Sequence, residues 1–548
     1  MQEKWIALSN TTIGQFMATI NTSIIIVALP AIFKGIHLNP LQEGSFPYLL
    51  WLIMSYMIVL SVTLVSIGKL SDIFGRVRIF NLGFLIFTIG SVLLYIAPGT
   101  GYTIAFELII FRMVQATGGA FLMANTFAII TDNFESKERG FAIAINSVAA
   151  VSGVSIGVVL GGIFATIYWR YIFLLSIPIG IFGTFWSYAR LKDTGKRVPS
   201  KIDMPGNLIF ASGLIILLLG VTYGITPYRA NPMGWANPLV LASIIIGIAL
   251  LICFPFVESR VSAPMFDLHL FRYRNFSISI FTALISALTM MGLMYMLTLL
   301  FQGIWLPLHG YKYSVTPLWA GIYILPLPVS MGIFGVLSAR LSRKFDPRIL
   351  TTAGLFISGI AMFLMVMLPY NFSYIYLAII IFLFGIGYGI FNVPNLNVAM
   401  SAVPPGERGS TSGILNTMRN VGYAASIGAF FSILILGLST SYPTAITDAL
   451  ANLNVGSLAA TFTSVPPTQI LFSTFLGLNT AKDIIANTNV SIPHSTLVTI
   501  TGHLWFPRVI APAFMSSMHD VFWIGGILSI IAGFISMLRK PVDLDATK

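Results

Sequence analysis

Charged residues are scarce in this chain of 548 residues, because Asp, Glu, Lys and Arg together make up only 9% of it. Soluble globular proteins carry about 25% charged residues. Hydrophobic residues make up 56% of the chain. This composition excludes a soluble enzyme and a disordered or collagen-like chain. Since a spanning helix needs about 20 apolar residues, the chain is predicted to be an all-α integral membrane protein with a dozen or more spans.

Cysteine and metal-ligand patterns are also nearly missing. Cys253 is the only cysteine, so no disulfide can form within the chain. The six histidines are scattered without tight metal-ligand spacing, and no glycine-rich Walker loop is present. We therefore expect no metal site, no cofactor, no ATP-driven pumping by this chain and no enzyme activity.

Apolar runs bounded by charges or turn residues predict fourteen transmembrane helices. The predicted spans cover residues 11–33, 46–68, 79–97, 102–130, 137–164, 170–189, 204–224, 238–257, 276–301, 316–337, 349–369, 374–401, 410–437 and 516–538. The segment 438–515 is long and rich in Thr, Ser, Asn and Pro. We expect an outer loop there, with short helices or a hairpin, and no fifteenth span.

The basic residues predict the orientation of these spans. An even number of spans puts both termini on one side, and with cytoplasmic termini 22 of the 30 Lys and Arg lie in cytoplasmic segments and 6 in outer segments. Arg112 and Arg419 fall inside spans. The positive-inside rule therefore predicts a multi-pass protein of the plasma membrane with both termini in the cytoplasm. This bias explains the net charge of +12 without nucleic acid as a partner.

Two sequence matches in the same order indicate an internal duplication. The loop 68–78 after the second span aligns with the loop 339–348 after the tenth, and Glu-Arg-Gly opens the fifth span at 138–140 and the thirteenth at 407–409. Chance similarity of apolar sequence is the alternative. Duplicated halves place a substrate site at their interface near the midplane of the membrane. The predicted units are a six-helix bundle in 1–190, two inserted helices in 191–275, and a six-helix bundle in 276–548 that includes the outer loop 438–515.

The sharpest local signal is the loop after the second span, which reads G-K-L-S-D-x-x-G-R-x-R. A tight turn between helices needs small residues, and an aspartate there can face the positive N-terminal end of another helix. Its arginines can pair with an acid at the inner end of the fourth span. An ordinary basic loop is the alternative. The predicted gating residues are Gly68, Asp72, Gly75, Arg76, Arg78 and Asp132.

This loop resembles the signature loop of the major facilitator superfamily between its second and third helices. Residues 111–120 resemble the R-x-x-Q-G-x-G-A motif of the fourth helix, and residues 153–162 resemble the fifth-helix antiporter motif G-x-x-x-G-P-x-x-G-G. Residues 169–180, 203–206 and 271–276 resemble further segments of the fourteen-helix drug:proton antiporter branch. The resemblance implies the major facilitator fold and proton-driven export by alternating access.

Two positions depart from the pattern of this branch. Asn21 stands where the branch usually has an aspartate in helix one, which weakens the expectation of proton coupling through that helix. Val158 stands where the helix-five motif has proline, which weakens the expectation of a bend there. The glycines of helix five should form a groove for close helix contact, along which the halves could rock. They are Gly153, Gly157, Gly161 and Gly162.

Polar residues at membrane depth are functional candidates, because burying them is costly. Arg112, Gln115 and Gly119 share a helical face, so Arg112 points into a cavity or at a buried acid, or is a structural arginine bonded to carbonyls. Glu107 is either a protonatable site or an interfacial acid. The second half contributes candidates that either face the first half or stabilise packing. The predicted substrate or coupling residues are Asn21, Glu107, Arg112, Gln115, Gln302, Asn416 and Arg419.

These features predict a secondary transporter that exports small amphipathic molecules, of the multidrug-efflux type, with protons as the coupling ion. A dedicated metabolite transporter without proton coupling is the first alternative, favoured by Asn21. A transport-dead membrane sensor is the second, disfavoured by the retained Asp72, Gly75 and Arg76. The expected partners are the small-molecule substrate, protons and the lipid bilayer.

Overall fold

The computed structural model is nearly all helical, as the apolar runs predict. It describes residues 3–38, 44–193, 203–229, 231–261, 264, 266–342, 344–404, 407–486 and 492–541. Within these ranges there is no β-strand, and one isolated β-bridge joins Tyr228 to Asn231. Backbone groups in a bilayer must be bonded within their own segment, which accounts for the helical architecture.

The first half of the chain forms seven helices, of which two together make one predicted span. They are α1 (Glu3–Gly35), α2 (Phe46–Phe74), α3 (Arg76–Ile96), α4 (Gly101–Asn133), α5 (Ser136–Ile167), α6 (Tyr171–Leu174) and α7 (Ser176–Arg190). α1 packs on α5, α2 and α3 pack on α4, and α7 packs on α3. Gly75 separates α2 from α3 with a φ of +103°, a conformation that glycine adopts without steric cost.

Two helices follow that pack mainly on each other, α8 (Met204–Gly224) and α9 (Pro238–Glu258). Proline opens each helix near its first position, and the preceding Asp203 and Asn237 cap it: their side chains accept hydrogen bonds from Gly206 N (2.9 Å) and Leu239 N (3.0 Å). Apolar side chains on the outward face of α9 are exposed, as in a lipid-facing helix. α8 also contacts α2 and the long helix of the second half.

The second half combines long helices, such as the 45-residue helix Arg408–Asn452, with several short ones. They are α10 (Arg274–Leu299), α11 (Leu306–Leu308), α12 (Thr316–Ile324), α13 (Pro326–Leu341), α14 (Pro347–Val366), α15 (Tyr374–Ser401), α16 (Arg408–Asn452), α17 (Ala459–Thr463), α18 (Pro467–Phe475), α19 (Thr480–Ala486), α20 (His494–Ile500) and α21 (Trp505–Met537). A π-helix (Leu300–Trp305) joins α10 to α11. Short 3₁₀-helices lie at Leu268–Arg272, Tyr313–Val315 and Gly456–Leu458.

Thirteen helices among the described residues are long and apolar enough to cross a membrane. The expected second span lies in α2, where the qualifying apolar stretch is the shorter Leu50–Leu64. The count of fourteen spans therefore stays a prediction, whereas the all-helical membrane architecture is shown.

The segment predicted as a loop over 438–515 contains short helices, as expected, and is shorter than those boundaries. α16 continues to Asn452 and α21 already begins at Trp505, so both extend well past the expected ends of their spans. Between them, α18 is buried along its length, and its Phe472 stacks on Phe431 of α16 with ring centroids 5.5 Å apart. The segment is thus packed onto the second half and contains the short helices α17 to α20.

Two sets of helix contacts join the halves: α2 packs against α16, and α5 packs against α12 and α13. Other contacts between the halves are fewer. This arrangement leaves each half as a packed group of helices and places the interface between them in the middle of the molecule.

Candidate functional site

A buried polar network joins four helices of the first half. The side-chain amide nitrogen of Asn21 donates to Ser176 Oγ (2.7 Å), and Gln115 Nε2 donates to Asn21 Oδ1 (3.2 Å) and to Ser91 Oγ (2.9 Å). Arg112 Nη1 donates to Gln115 Oε1 (2.9 Å). All five side chains are at most 1% exposed. The structure thus brings together three predicted site residues and adds two serines.

The guanidinium of Arg112 is surrounded by neutral groups. Besides Gln115 it donates to the Asn21 carbonyl oxygen at 3.4 Å, and its Cζ lies 4.5 Å from the ring centroid of Tyr56. A Cβ on Gly119 would lie 2.8 Å from the Tyr56 hydroxyl, so glycine leaves room for that ring. Arg112 is therefore bonded to amide and carbonyl oxygens, the second of the sequence alternatives, and it meets no acid among the described residues.

Glu107 lies five residues before Arg112 on α4 and does not pair with it. Its side chain is partly buried, and its Oε2 is shielded from solvent without a hydrogen-bond partner in the described ranges. Residues five apart on a helix do not face each other directly, which explains the separation. The role of Glu107 as a protonatable site stays a prediction.

The predicted gating loop is a one-residue turn, because α2 runs to Phe74. Gly68 lies inside this helix, where an added Cβ would meet no described atom within 4 Å, so the tight turn requires Gly75 and not Gly68. Arg76 Nη1 lies 2.7 Å from both carboxylate oxygens of Asp132. Arg78 is exposed. The structure shows the expected ion pair between α3 and the end of α4, whereas the side chain of Asp72 lies outside the described part.

Three glycines of α5 pack against α1 of the same half. A Cβ added to Gly153 or Gly157 would lie 2.1–2.2 Å from the hydroxyl oxygens of Thr19 and Ser23, and one on Gly161 would lie 2.7 Å from the Ile24 carbonyl oxygen. These three glycines therefore pack α5 against α1 within one half. The sequence analysis expected the halves to rock along this groove, whereas these contacts lie inside the first half.

Gly162 is different, because it faces the other half. Its added Cβ would lie 2.6 Å from both Leu318 Cα and the Pro317 carbonyl oxygen, and a Cβ on Gly321 would lie 2.8 Å from the Val158 carbonyl oxygen. α5 and α12 thus touch main chain to main chain. These contacts lie near the C-terminal end of α5, and we call this end of the molecule the closed end.

Gln302 adds a third contact between the halves toward the closed end. It lies in the π-helix after α10 and is fully buried, and its Nε2 donates to the Val27 carbonyl oxygen of α1 at 3.2 Å. π-turns within helices are frequent at functional sites. The structure thus places the predicted residue Gln302 at the interface of the halves, next to the aromatic side chains of Phe301 and Trp305.

Arg419 of α16 lies among phenols. Its Nη2 donates to the Tyr423 hydroxyl at 3.3 Å, and Tyr388 of α15 lies beside the same guanidinium. Asn416 is buried one turn before Arg419, and its carbonyl oxygen accepts from Asn420 Nδ2 at 2.8 Å. The structure therefore keeps these second-half candidates apart from the Arg112 network.

A narrow cleft with a cavity volume of about 20 Å³ lies between the halves, away from the closed end. Its walls come from the first half of α5, from α13 and from α15. The residues that line it are Ser147, Val148, Met331, Gly332, Gly335, Val336, Tyr388, Gly389, Asn392 and Val393. Tyr388 thus connects the cleft with Arg419.

Sequence reasoning missed the neutral partners of both arginines. Tyr423 follows Arg419 by four residues on one helix, so the helical period alone could have indicated that contact. Tyr56, Ser91, Ser176 and Tyr388 come from other helices, and no local pattern marks them. Arg539 was missed as well; it is buried and donates from Nη1 to Thr351 Oγ1 (2.6 Å) and from Nη2 to Thr282 Oγ1 (3.0 Å).

Two groups of helices around a polar interface and a cleft define a multi-pass helical membrane protein of the transporter type. The profile described as Major Facilitator Superfamily matches residues 11–427, and the chain belongs to this family of transporters, which are not enzymes. Motifs 68–78, 111–120 and 153–162 all fall within the match.

Named relatives and one solved structure agree with this assignment. The chain is 30% identical to the riboflavin transporter RibZ of Clostridioides difficile over 437 residues, 79% of this chain and 88% of the relative. It is 27% identical to the multidrug resistance protein Stp of Mycobacterium tuberculosis over 441 residues, 80% of this chain and 77% of the relative. The crystal structure of the human organic anion transporter MFSD10 (TETRAN) matches with a TM-score of 0.55 and 14% identity over 87% of this chain and 98% of that one, which shows the fold alone.

Proposed function

We propose that this transporter exports small amphipathic molecules across the plasma membrane by alternating access, driven by protons. The observation that carries the proposal is the asymmetry of the interface between the halves. One end is closed by main-chain contacts at Gly162 and Gly321 and by the hydrogen bond of Gln302, while the cleft lies away from that end. A transporter that exposes its site to one side at a time needs one closed end and one open end, and the two ends must exchange these conformations during transport.

The Arg76–Asp132 pair is already formed in this state, and in this proposal it prepares the second state. It links the turn at Gly75 to the end of α4, at the end of the molecule opposite to the closed end. There it holds the turn so that Asp72 can meet the start of α16 when that end closes. With cytoplasmic termini, the closed end is the outer one and the cleft belongs to the inner side.

Export is favoured over import by the relatives named for drug resistance, of which Stp matches 80% of this chain. Amphipathic substrates agree with a cleft whose lining combines Met, Val and Gly with Ser147, Tyr388 and Asn392. Proton drive would require an acid at membrane depth that is accessible in both states, and Glu107 is the candidate in the first half.

A dedicated metabolite transporter is the second candidate, and two observations favour it. The relative at 30% identity is named as a riboflavin transporter, and the position of helix one that could hold an acid is the amide Asn21, which is bonded to Ser176 and Gln115. In this case the coupling ion need not be the proton.

A resistance and uptake screen in a host stripped of its own exporters tests the proposal. Cells that make the protein should accumulate less of at least one compound than cells that make the Asp132→Asn variant at equal membrane abundance. Dissipating the proton gradient should abolish the difference. If the difference persists without a proton gradient, the dedicated transporter is favoured; if no compound differs and none is taken up, export by this chain is refuted.

The orientation is tested separately by cysteine labelling in a Cys253→Ala background, in which the exposed native thiol is removed. A cysteine at Ser495 should react with a membrane-impermeant maleimide in intact cells. One at Arg78 should react only after permeabilisation. The reverse pattern would contradict cytoplasmic termini.

A further inference from the structure

Both arginines at membrane depth lack an acidic partner in the described chain. Arg112 and Arg419 are each the twelfth residue of their helices, α4 and α16, which places them about 17 Å from the helix start. The hydrocarbon core of a bilayer is about 30 Å thick, so both lie near its middle. Their partners are amide, carbonyl and phenol groups.

In the part of the chain that the structure describes, no acid balances these charges at the same depth. Asn21, the polar side chain of α1 that approaches Arg112, is neutral. Glu107 lies nearer to the start of α4 and makes no contact with Arg112, and Asp520 is exposed on the outside of α21. Two cations without an acidic partner among the described residues therefore lie at this depth, one in each half.

An unbalanced cation in a membrane interior is costly, and a passing negative group would offset that cost. Arg419 is only partly buried, so it can still be reached, while Arg112 is fully enclosed in this state. The hydroxyls of Tyr388 and Tyr423 can donate to the same negative group, and Tyr388 also lines the narrow apolar cleft. This combination suits a flat apolar body with an anionic substituent.

We propose that the transported molecule is an aromatic anion, whose negative group is bound by Arg419 together with the phenols of Tyr388 and Tyr423. This inference rests on the proposed function and specifies its substrate class. It predicts discrimination against cationic amphipaths of the same size and shape, because the described groups around Arg419 offer them a positive charge and two phenols but no carboxylate.

Two dyes with a common xanthene skeleton test the charge preference directly. Fluorescein is an anion and rhodamine 123 is a cation, and their binding to the full-length protein in lipid nanodiscs is followed by fluorescence anisotropy. Wild-type protein should bind fluorescein at least about tenfold more tightly than rhodamine 123, since one charge-assisted hydrogen bond accounts for a factor of this size. Arg419→Gln should remove most of this preference and Arg419→Lys should retain part of it.

Arg508→Gln is the matched control, because it removes the same charge from an exposed position of α21 in the same half. It should leave both affinities unchanged. Equal binding of the two dyes, binding of neither, or tighter binding of rhodamine 123 would overturn the proposal. Selective fluorescein binding without any flux in exporter-deficient cells would support the anion site and contradict the proposed export function, so the two failures are distinguishable.

Discussion

The contact at Gly162 offers a direct way to shift the equilibrium between the two states of the transporter. In Gly162→Ala the new methyl group would lie 2.6 Å from Leu318 Cα and from the Pro317 carbonyl oxygen. Both atoms belong to the main chain and cannot rotate away. An ordinary contact needs a carbon separation of about 3.5–4.0 Å, so α5 and α12 must move apart by roughly 1 Å.

The expected cost follows from the cost of overpacking. Adding a methyl group to a close-packed contact costs about 1–3 kcal/mol. If the contact exists only while this end is closed, the cost falls on that state alone. The ratio of open to closed molecules should then rise by about 5- to 150-fold.

The neighbouring Gly161→Ala variant is the control. Its methyl group would lie 2.7 Å from the Ile24 carbonyl oxygen, within the same half, so the overpacking persists in both states. This variant should lower thermal stability and leave the ratio of states unchanged. The pair thus separates packing within a half from packing between the halves.

Distances between spin labels measure the effect. Labels at Thr166→Cys and Asp448→Cys, exposed positions of α5 and α16, report across the two halves in a Cys253→Ala background. Double electron–electron resonance should show a longer-distance population that grows in Gly162→Ala and not in Gly161→Ala. Identical distributions in wild type and Gly162→Ala would refute the idea that this contact defines a state.

Three further substitutions test individual parts of the account. Asp132→Asn should lower the initial efflux rate at least about tenfold. Its free energy of unfolding should fall by less than about 1 kcal/mol, because the ion pair with Arg76 is partly exposed. Wild-type flux in the inserted variant would contradict a gating role. Glu107→Gln should flatten the pH dependence of flux more than it changes the affinity for substrate, and an unchanged pH profile would place coupling elsewhere. Asn21→Asp should put a carboxylate beside Arg112. The affinity for rhodamine 123 should then rise about tenfold in the anisotropy assay. An unchanged affinity would show that this network does not set the charge preference.

The fold was largely predictable from composition and apolar length, since a bilayer admits few architectures for a chain with so little charge. The ends of the helices were less predictable. Pro443 and the surrounding Ser and Thr residues indicate a loop, but α16 continues through them because Tyr442, Ile446 and Leu450 are buried on one face. Tertiary packing outweighs helix propensity there, and no local sequence pattern predicts that packing.

The candidate site was likewise predictable only in part from the sequence. Spacing along α4 placed Arg112 and Gln115 on one face, and the structure joins them by a hydrogen bond. Spacing could not show whether Gly161 and Gly162 face the same half or opposite halves, because that depends on how α1 and α12 pack around α5. The phenols around Arg419 depend on the pairing of α15 with α16 in the same way.

The central claim is that this chain moves small molecules outward at the expense of an ion gradient. Everted membrane vesicles from an exporter-deficient host measure it most directly, with fluorescein, riboflavin and rhodamine 123 as an anionic, a neutral and a cationic dye. Energised vesicles that contain the protein should accumulate fluorescein above vesicles without it, and nigericin, which collapses the pH gradient, should abolish the excess. Absence of any excess for all three dyes, with the protein present in the membrane at normal abundance, would contradict the claim.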